Sequence, residues 1–144
     1  MLTITITNAQ TQLPVDQRRL RRAVRMILKD KSIERAKIGV AVVDDRTIAE
    51  LHQRYLDDPS PTDVLSFLLE QTPEYIEGEI VVSADTAAAS AGNYNWTAAD
   101  ELLLYVIHGA LHLAGYDDST TKKRVMMHEK EGEYLARLGL HCHI

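Results

Sequence analysis

His108 and His112 stand four residues apart in the apolar stretch from Leu102 to Leu113. On a helix that spacing sends both imidazoles out of one face, about one turn apart. Zinc–nitrogen bonds of about 2.0–2.1 Å suit such a separation. Asp118 follows beyond Gly115, where a glycine turn can fold it back as an oxygen ligand. Three protein ligands with one position left open is the arrangement of a catalytic zinc ion, not of a closed structural one. Two idle imidazoles buried in so apolar a helix would be costly, which favours the metal reading. Peptidases that use His-x-x-x-His need a Glu beside the first His as general base. Here that neighbour is Gly109, so the metal geometry survives and peptide hydrolysis of that kind does not. His128 reads as a surface position on a last helix, and His141, Cys142 and His143 as a frayed tail.

The pattern of the chain supplies the elements that must hold these residues. Leu2, Ile4 and Ile6 alternate with Thr3, Thr5 and Thr7, as in a half-buried strand. Pro14 opens a helix whose Leu20, Val24, Ile27 and Leu28 recur at helical spacing. Lys37 to Val43 is a second strand. Asp44 and Asp45 cap a helix with Ile48, Leu51 and Tyr55 on its inner face. Asp57 to Pro61 is a loop, and Val64 to Leu69 and Glu79 to Ser83 are strands joined through Pro73 and Gly78. Asp85 to Gly92 is a short helix. Thr97 and Asp100 form a capping box for the histidine helix, which is apolar nearly all round and must be central, and Gly115 ends it. Ser119 caps a last helix that turns Met127, Tyr134, Leu135 and Leu138 inward. The order is that of a single α+β domain over residues 1–144 with one mixed sheet.

With 144 residues and 45% hydrophobic composition, such a domain can bury a core unaided. A lone Cys142 excludes a disulfide framework and suits a reducing compartment. No apolar run reaches the roughly 18 residues of a membrane span, and the alternating N-terminus is not a signal peptide. The net charge is −5, which at first disfavours a nucleic-acid partner. Residues 17–37, however, hold nine Lys or Arg against two Asp or Glu, a local excess of +7. Such asymmetry reads either as a footprint for a phosphate backbone or as the solvated face of a helix.

Two longer stretches carry a resemblance. His108-Gly109-Ala110-Leu111-His112-Leu113-Ala114-Gly115-Tyr116-Asp117 and Pro61-Thr62-Asp63-Val64-Leu65-Ser66-Phe67 resemble the YbeY endoribonucleases of bacteria, the rRNA maturation factors. Gly78-Glu79-Ile80 and the spacing of Met127 and Glu131 agree with them. The resemblance implies a mixed four-stranded sheet with packed helices. It also implies a metal-dependent hydrolase, with one Zn2+ or another divalent ion, acting on single-stranded RNA. The implied setting is 16S rRNA 3′-end processing and ribosome quality control in the cytoplasm. Ribosomal RNA and small-subunit proteins are the implied partners, with no membrane and no organic cofactor.

The sequence departs from that pattern twice. The third ligand position, a His in the family, is Asp118; a carboxylate still binds zinc but favours harder metals. The Arg expected directly after Tyr55 is Leu56, so Arg54, about 200° away on a helix, is the candidate phosphate contact, with Arg46 as its alternative. Asp63 is either an orienting carboxylate behind a histidine or a turn cap, and Ser66 and Thr62 either contact substrate backbone or finish a loop. These departures motivate a second reading, a catalytically weak ribosome-assembly binding factor that retains the metal site. A metal hydrolase on a substrate other than RNA is a third.

Overall fold

The computed structural model describes residues 1–56, 62–93 and 95–140. Its elements run β1 (Leu2–Asn8), α1 (Gln17–Asp30), β2 (Ala36–Val43), α2 (Asp45–Leu56), β3 (Val64–Thr72), β4 (Tyr75–Ser83), α3 (Ala84–Ala91), α4 (Ala98–Leu113) and α5 (Thr121–Arg137). The strands form one sheet in the order β1-β2-β4-β3. β1 and β4 both run parallel to β2, while β3 returns antiparallel to β4 across a hairpin with an irregularity between Leu68 and Glu70. This is the expected α+β fold with a mixed four-stranded sheet.

Strand alternation divides the apolar residues between two layers. Ile4, Ile6, Ile38, Val40, Val42, Ile76, Ile80 and Val82 point into the main core, where they meet α1, α4 and α5. On the opposite face Val43, Leu65 and Val81 pack with Ile48 of α2. Leu103, Ile107 and Leu111 of α4 are fully buried. Each such side chain contributes up to about 1.5–3 kcal/mol of hydrophobic stabilisation, so α4 is the spine of the fold.

Local expectations shift at several ends. Pro14 precedes α1, which is capped by the Asp16 carboxylate accepting the Arg19 N–H at 3.1 Å. β4 begins at Tyr75, so Gly78 lies inside the strand and not in a connection. A side chain at Gly78 would meet the Leu113 methyls at 2.9 and 3.0 Å, and the small residue lets α4 close on the sheet. Tyr55 is 60% exposed and lies edge-on to Phe67, so the inner face of α2 stops at Leu51. Thr120, not Ser119, caps α5 by accepting the Lys123 N–H. The loop 57–61 and the His141–Cys142–His143 tail lie outside the described residues. Among the described residues no helix is long and apolar enough to cross a membrane.

Candidate metal centre

The site begins with the way α4 is fixed. Thr97 and Asp100 close the anticipated capping box, and Arg19 of α1 adds an ion pair to Asp100 at 3.1 Å. From Glu101 to Leu113 the helix is buried except for Leu104, His108 and His112, a row with the i, i+4, i+8 spacing of one face. The two histidines therefore occupy the open seam of an otherwise enclosed helix. The expectation of two buried imidazoles holds for His108 only in part and not for His112, which is exposed.

Gly109 sets how closely this seam approaches the sheet. A methyl group there would lie 2.6 Å from Ile80 Cγ2, 3.1 Å from Ser66 Oγ and 3.3 Å from Val64 Cγ2. Ser66 Oγ donates to the Gly109 carbonyl at 3.3 Å, so it fastens β3 to the helix. After Leu113 the chain reverses. Gly115 has φ +109°, and the Tyr116 N–H reaches back to the Leu111 carbonyl at 3.0 Å, which is a Schellman closure. That turn carries Asp118 toward the histidines. His108, His112 and Asp118 line one cavity of about 240 Å³, together with Leu56, Val64, Leu65 and Ser66.

Inside this cavity His108 Nε2 lies 3.7 Å from Asp118 Oδ2. On its other side His108 Nδ1 lies 2.7 Å from Glu131 Oε2, and the second oxygen of Glu131 is 3.1 Å from His128 Nδ1. Facing a carboxylate, Nδ1 carries the ring proton, which leaves the Nε2 lone pair directed at the cavity. Burial alone would lower the basicity of His108. The Glu131 hydrogen bond and charge, with Asp118 and Asp63, outweigh it and hold the pKa above the ordinary histidine value.

Two imidazoles and a carboxylate around one cavity suit zinc and similar divalent ions by donor type. Among the described residues, however, no three His, Cys, Asp or Glu side chains are gathered into a ready-made cage. Two ligand atoms held tetrahedrally at 2.0–2.1 Å stand about 3.3 Å apart, so the 3.7 Å between His108 and Asp118 asks for a small closure.

The other expected residues fall elsewhere. Arg54 lines a separate groove on α2 with Arg46, Ala49, Glu50 and Gln53, whereas Leu56 is the α2 residue in the histidine cavity. Asp63 is exposed and its carbonyl accepts the Ser83 N–H, so it acts on His108 only through its charge. His128 is largely exposed as expected, yet it also partners a buried acid. Glu131 is a site residue that the sequence marks only by its spacing from Met127. Its signal was an acid in the apolar phase of α5, in register with Met127, Tyr134 and Leu135.

The family model described as Endoribonuclease YbeY matches residues 5–139. The chain belongs to the endoribonuclease YbeY family. The Endoribonuclease YbeY of Syntrophus aciditrophicus is 36% identical over 140 residues, covering 92% of this chain and 87% of its own. That of a Sulfurovum species is 39% identical over 147 residues, covering 97% and 94%. Among solved structures, the solution structure of a Thermotoga maritima protein aligns with a TM-score of 0.63 at 28% identity, over 96% of this chain and 92% of that one. Within the YbeY framework, both departures noted in the sequence, Leu56 and Asp118, border the same cavity.

Proposed function

We propose that the chain is a divalent-metal-dependent endoribonuclease that cleaves single-stranded RNA in ribosomal RNA maturation, at the 3′ end of 16S rRNA, and in ribosome quality control. The observation that carries this reading is the 2.7 Å contact of His108 Nδ1 with buried Glu131, which presents Nε2 to a cavity shared with His112 and Asp118. His108, His112 and Asp118 would hold one ion, zinc or a harder divalent metal favoured by the carboxylate. When bound, such an ion supplies Lewis acidity and an activated water to phosphodiester hydrolysis. Glu131 fixes the tautomer of His108 and leans its ring toward the cavity. Ser66 and Gly109 keep the helix seam against β3, and Leu56, Val64 and Leu65 supply the apolar part of the cavity lining. Metal analysis of the purified protein, paired with RNA cleavage by wild type and His112→Ala, tests the reading. Stoichiometric metal and cleavage, both lost in the variant, are expected; equal cleavage by a metal-free wild type and by the variant would refute it.

One observation favours a second reading, a catalytically weak ribosome-assembly factor that keeps the metal site. Leu56 puts a hydrocarbon in the cavity wall where the family resemblance places an Arg, and Arg54 lines another groove. The double change Leu56→Arg with Asp118→His decides between them. A gain in cleavage of tenfold or more supports the weak enzyme, and no gain over an already substantial rate supports the nuclease.

A further inference from the structure

The cations of α1 separate into two groups. Arg19 is tied to Asp100, and Arg21 donates its Nε–H to the Ile4 carbonyl at 3.2 Å, so both hold the helix to its neighbours. Arg18, Arg22, Arg25 and Lys29 are all exposed and make no ion pair among the described residues. Their spacing of four, three and four residues aligns them along one face of the helix, over about 16 Å. The row works against the helix that carries it. Like charges three and four residues apart repel, and at the N-terminal end only the capping Asp16 carboxylate opposes them. A polyanion laid along the row would relieve that repulsion. The rest of the chain is strongly acidic by contrast, so the charge asymmetry turns this face toward such a partner.

The row also has a direction. Arg19 at its start meets the N-terminal end of α4 through Asp100. Just past its end, the Lys31 ammonium lies 4.7 Å over the Tyr116 ring, in the turn between His112 and Asp118. α1 thus runs alongside α4 in the same sense, from the capped end toward the histidine end.

We propose that Arg18, Arg22, Arg25 and Lys29 form a docking track for the phosphate backbone of single-stranded RNA, outside the cleavage cavity and leading toward the turn that carries Asp118. The track rests on the nuclease reading and adds to it where the flanking strand lies. It contributes affinity and orientation without reading sequence, because only phosphates are contacted.

Fluorescence anisotropy with a labelled 20-nucleotide single-stranded RNA, run from 50 to 400 mM KCl, tests the proposal with the full chain. The variant Arg18→Gln/Arg22→Gln/Arg25→Gln/Lys29→Gln should bind more weakly at 50 mM. Its salt dependence should be shallower by about 0.7 per lost phosphate contact. Four contacts make the wild type lose about 50-fold more affinity than the variant between 50 and 200 mM. Cleavage should show a raised KM and an unchanged kcat, and the melting temperature of the free variant should not fall. A control, Arg35→Gln/Lys37→Gln/Lys122→Gln/Lys130→Gln, removes the same charge elsewhere and should keep the wild-type slope. If RNA is bound and cut but the track variant keeps the wild-type slope, the track is overturned while the nuclease stands, and the row belongs to a protein partner. If the control loses as much slope, general charge and not the track is responsible, and the proposal falls. If wild type neither binds nor cuts RNA, the nuclease reading falls and the track with it.

Discussion

Two buried carboxylates sit near opposite ends of α4, and their partners differ. Glu101 is 4% exposed and accepts the Trp96 indole N–H at 2.9 Å. Glu131 is 2% exposed and lies between the Nδ1 atoms of His108 and His128. A buried acid must be satisfied wherever it stands, and the choice of partner says what else it does. An indole N–H neither titrates nor binds metal, so Glu101 braces the chain entering α4. Imidazole has a second nitrogen, so a carboxylate on one side of the ring sets what the other side can do. Glu131 therefore reaches into the cavity through His108 without lining it.

The contrast predicts unequal costs. Glu131→Ala should weaken divalent-metal affinity by 10- to 100-fold, read by competition with a zinc indicator. Glu101→Gln keeps an acceptor for Trp96 and should leave that affinity unchanged; a matching loss in both variants would erase the distinction between brace and orienter. Gly109→Ala comes next, because its methyl group has no room against Ile80 and Ser66. It should cost about 1–3 kcal/mol in urea unfolding and lower metal affinity with it. Glu101→Gln itself should lose at most about 1.5 kcal/mol in the same measurement, because glutamine keeps an acceptor for Trp96 and gives up only the charge.

The smallest effect belongs to a third, exposed carboxylate. Asp30 accepts hydrogen bonds from Arg137 and from Tyr134, the latter at 2.8 Å, and these hold its pKa below the ordinary carboxylate value. A lowered folded-state pKa stabilises above the unfolded value and is lost as pH falls through the folded one. Asp30→Asn should therefore be slightly less stable than wild type at neutral pH, and the gap should close below about pH 4. A gap that widens in acid would reverse the assigned sign.

What the sequence made legible follows from how local each signal is. The capping box of Thr97 and Asp100, the shared helical face of the two histidines and the order of elements are short-range patterns, and they stand in the structure as read. Gly109 was noticed for the base it lacks, while its positive role depends on β3 and β4 side chains 29 to 45 residues away. Glu131 was visible as a spacing but not as a partner of His108, since nothing local says which buried group an inward acid will meet. Gly78 read as a connection because a breaker inside a strand is recognisable only once the helix it admits, through Leu113, is in place. Arg54 was placed by neighbourhood in sequence, and helical rotation carries it to a different groove from Leu56.

The seam of Leu104, His108 and His112 is the one row of the buried part of α4 that the core leaves open. On the proposed metal site, chemistry and folding thus draw on separate sets of side chains in the same element. A lineage can rewrite or silence the reactive row without unravelling the scaffold, so descendants that have traded catalysis for another duty would persist as well-folded proteins, and shape alone would not tell them from their active cousins.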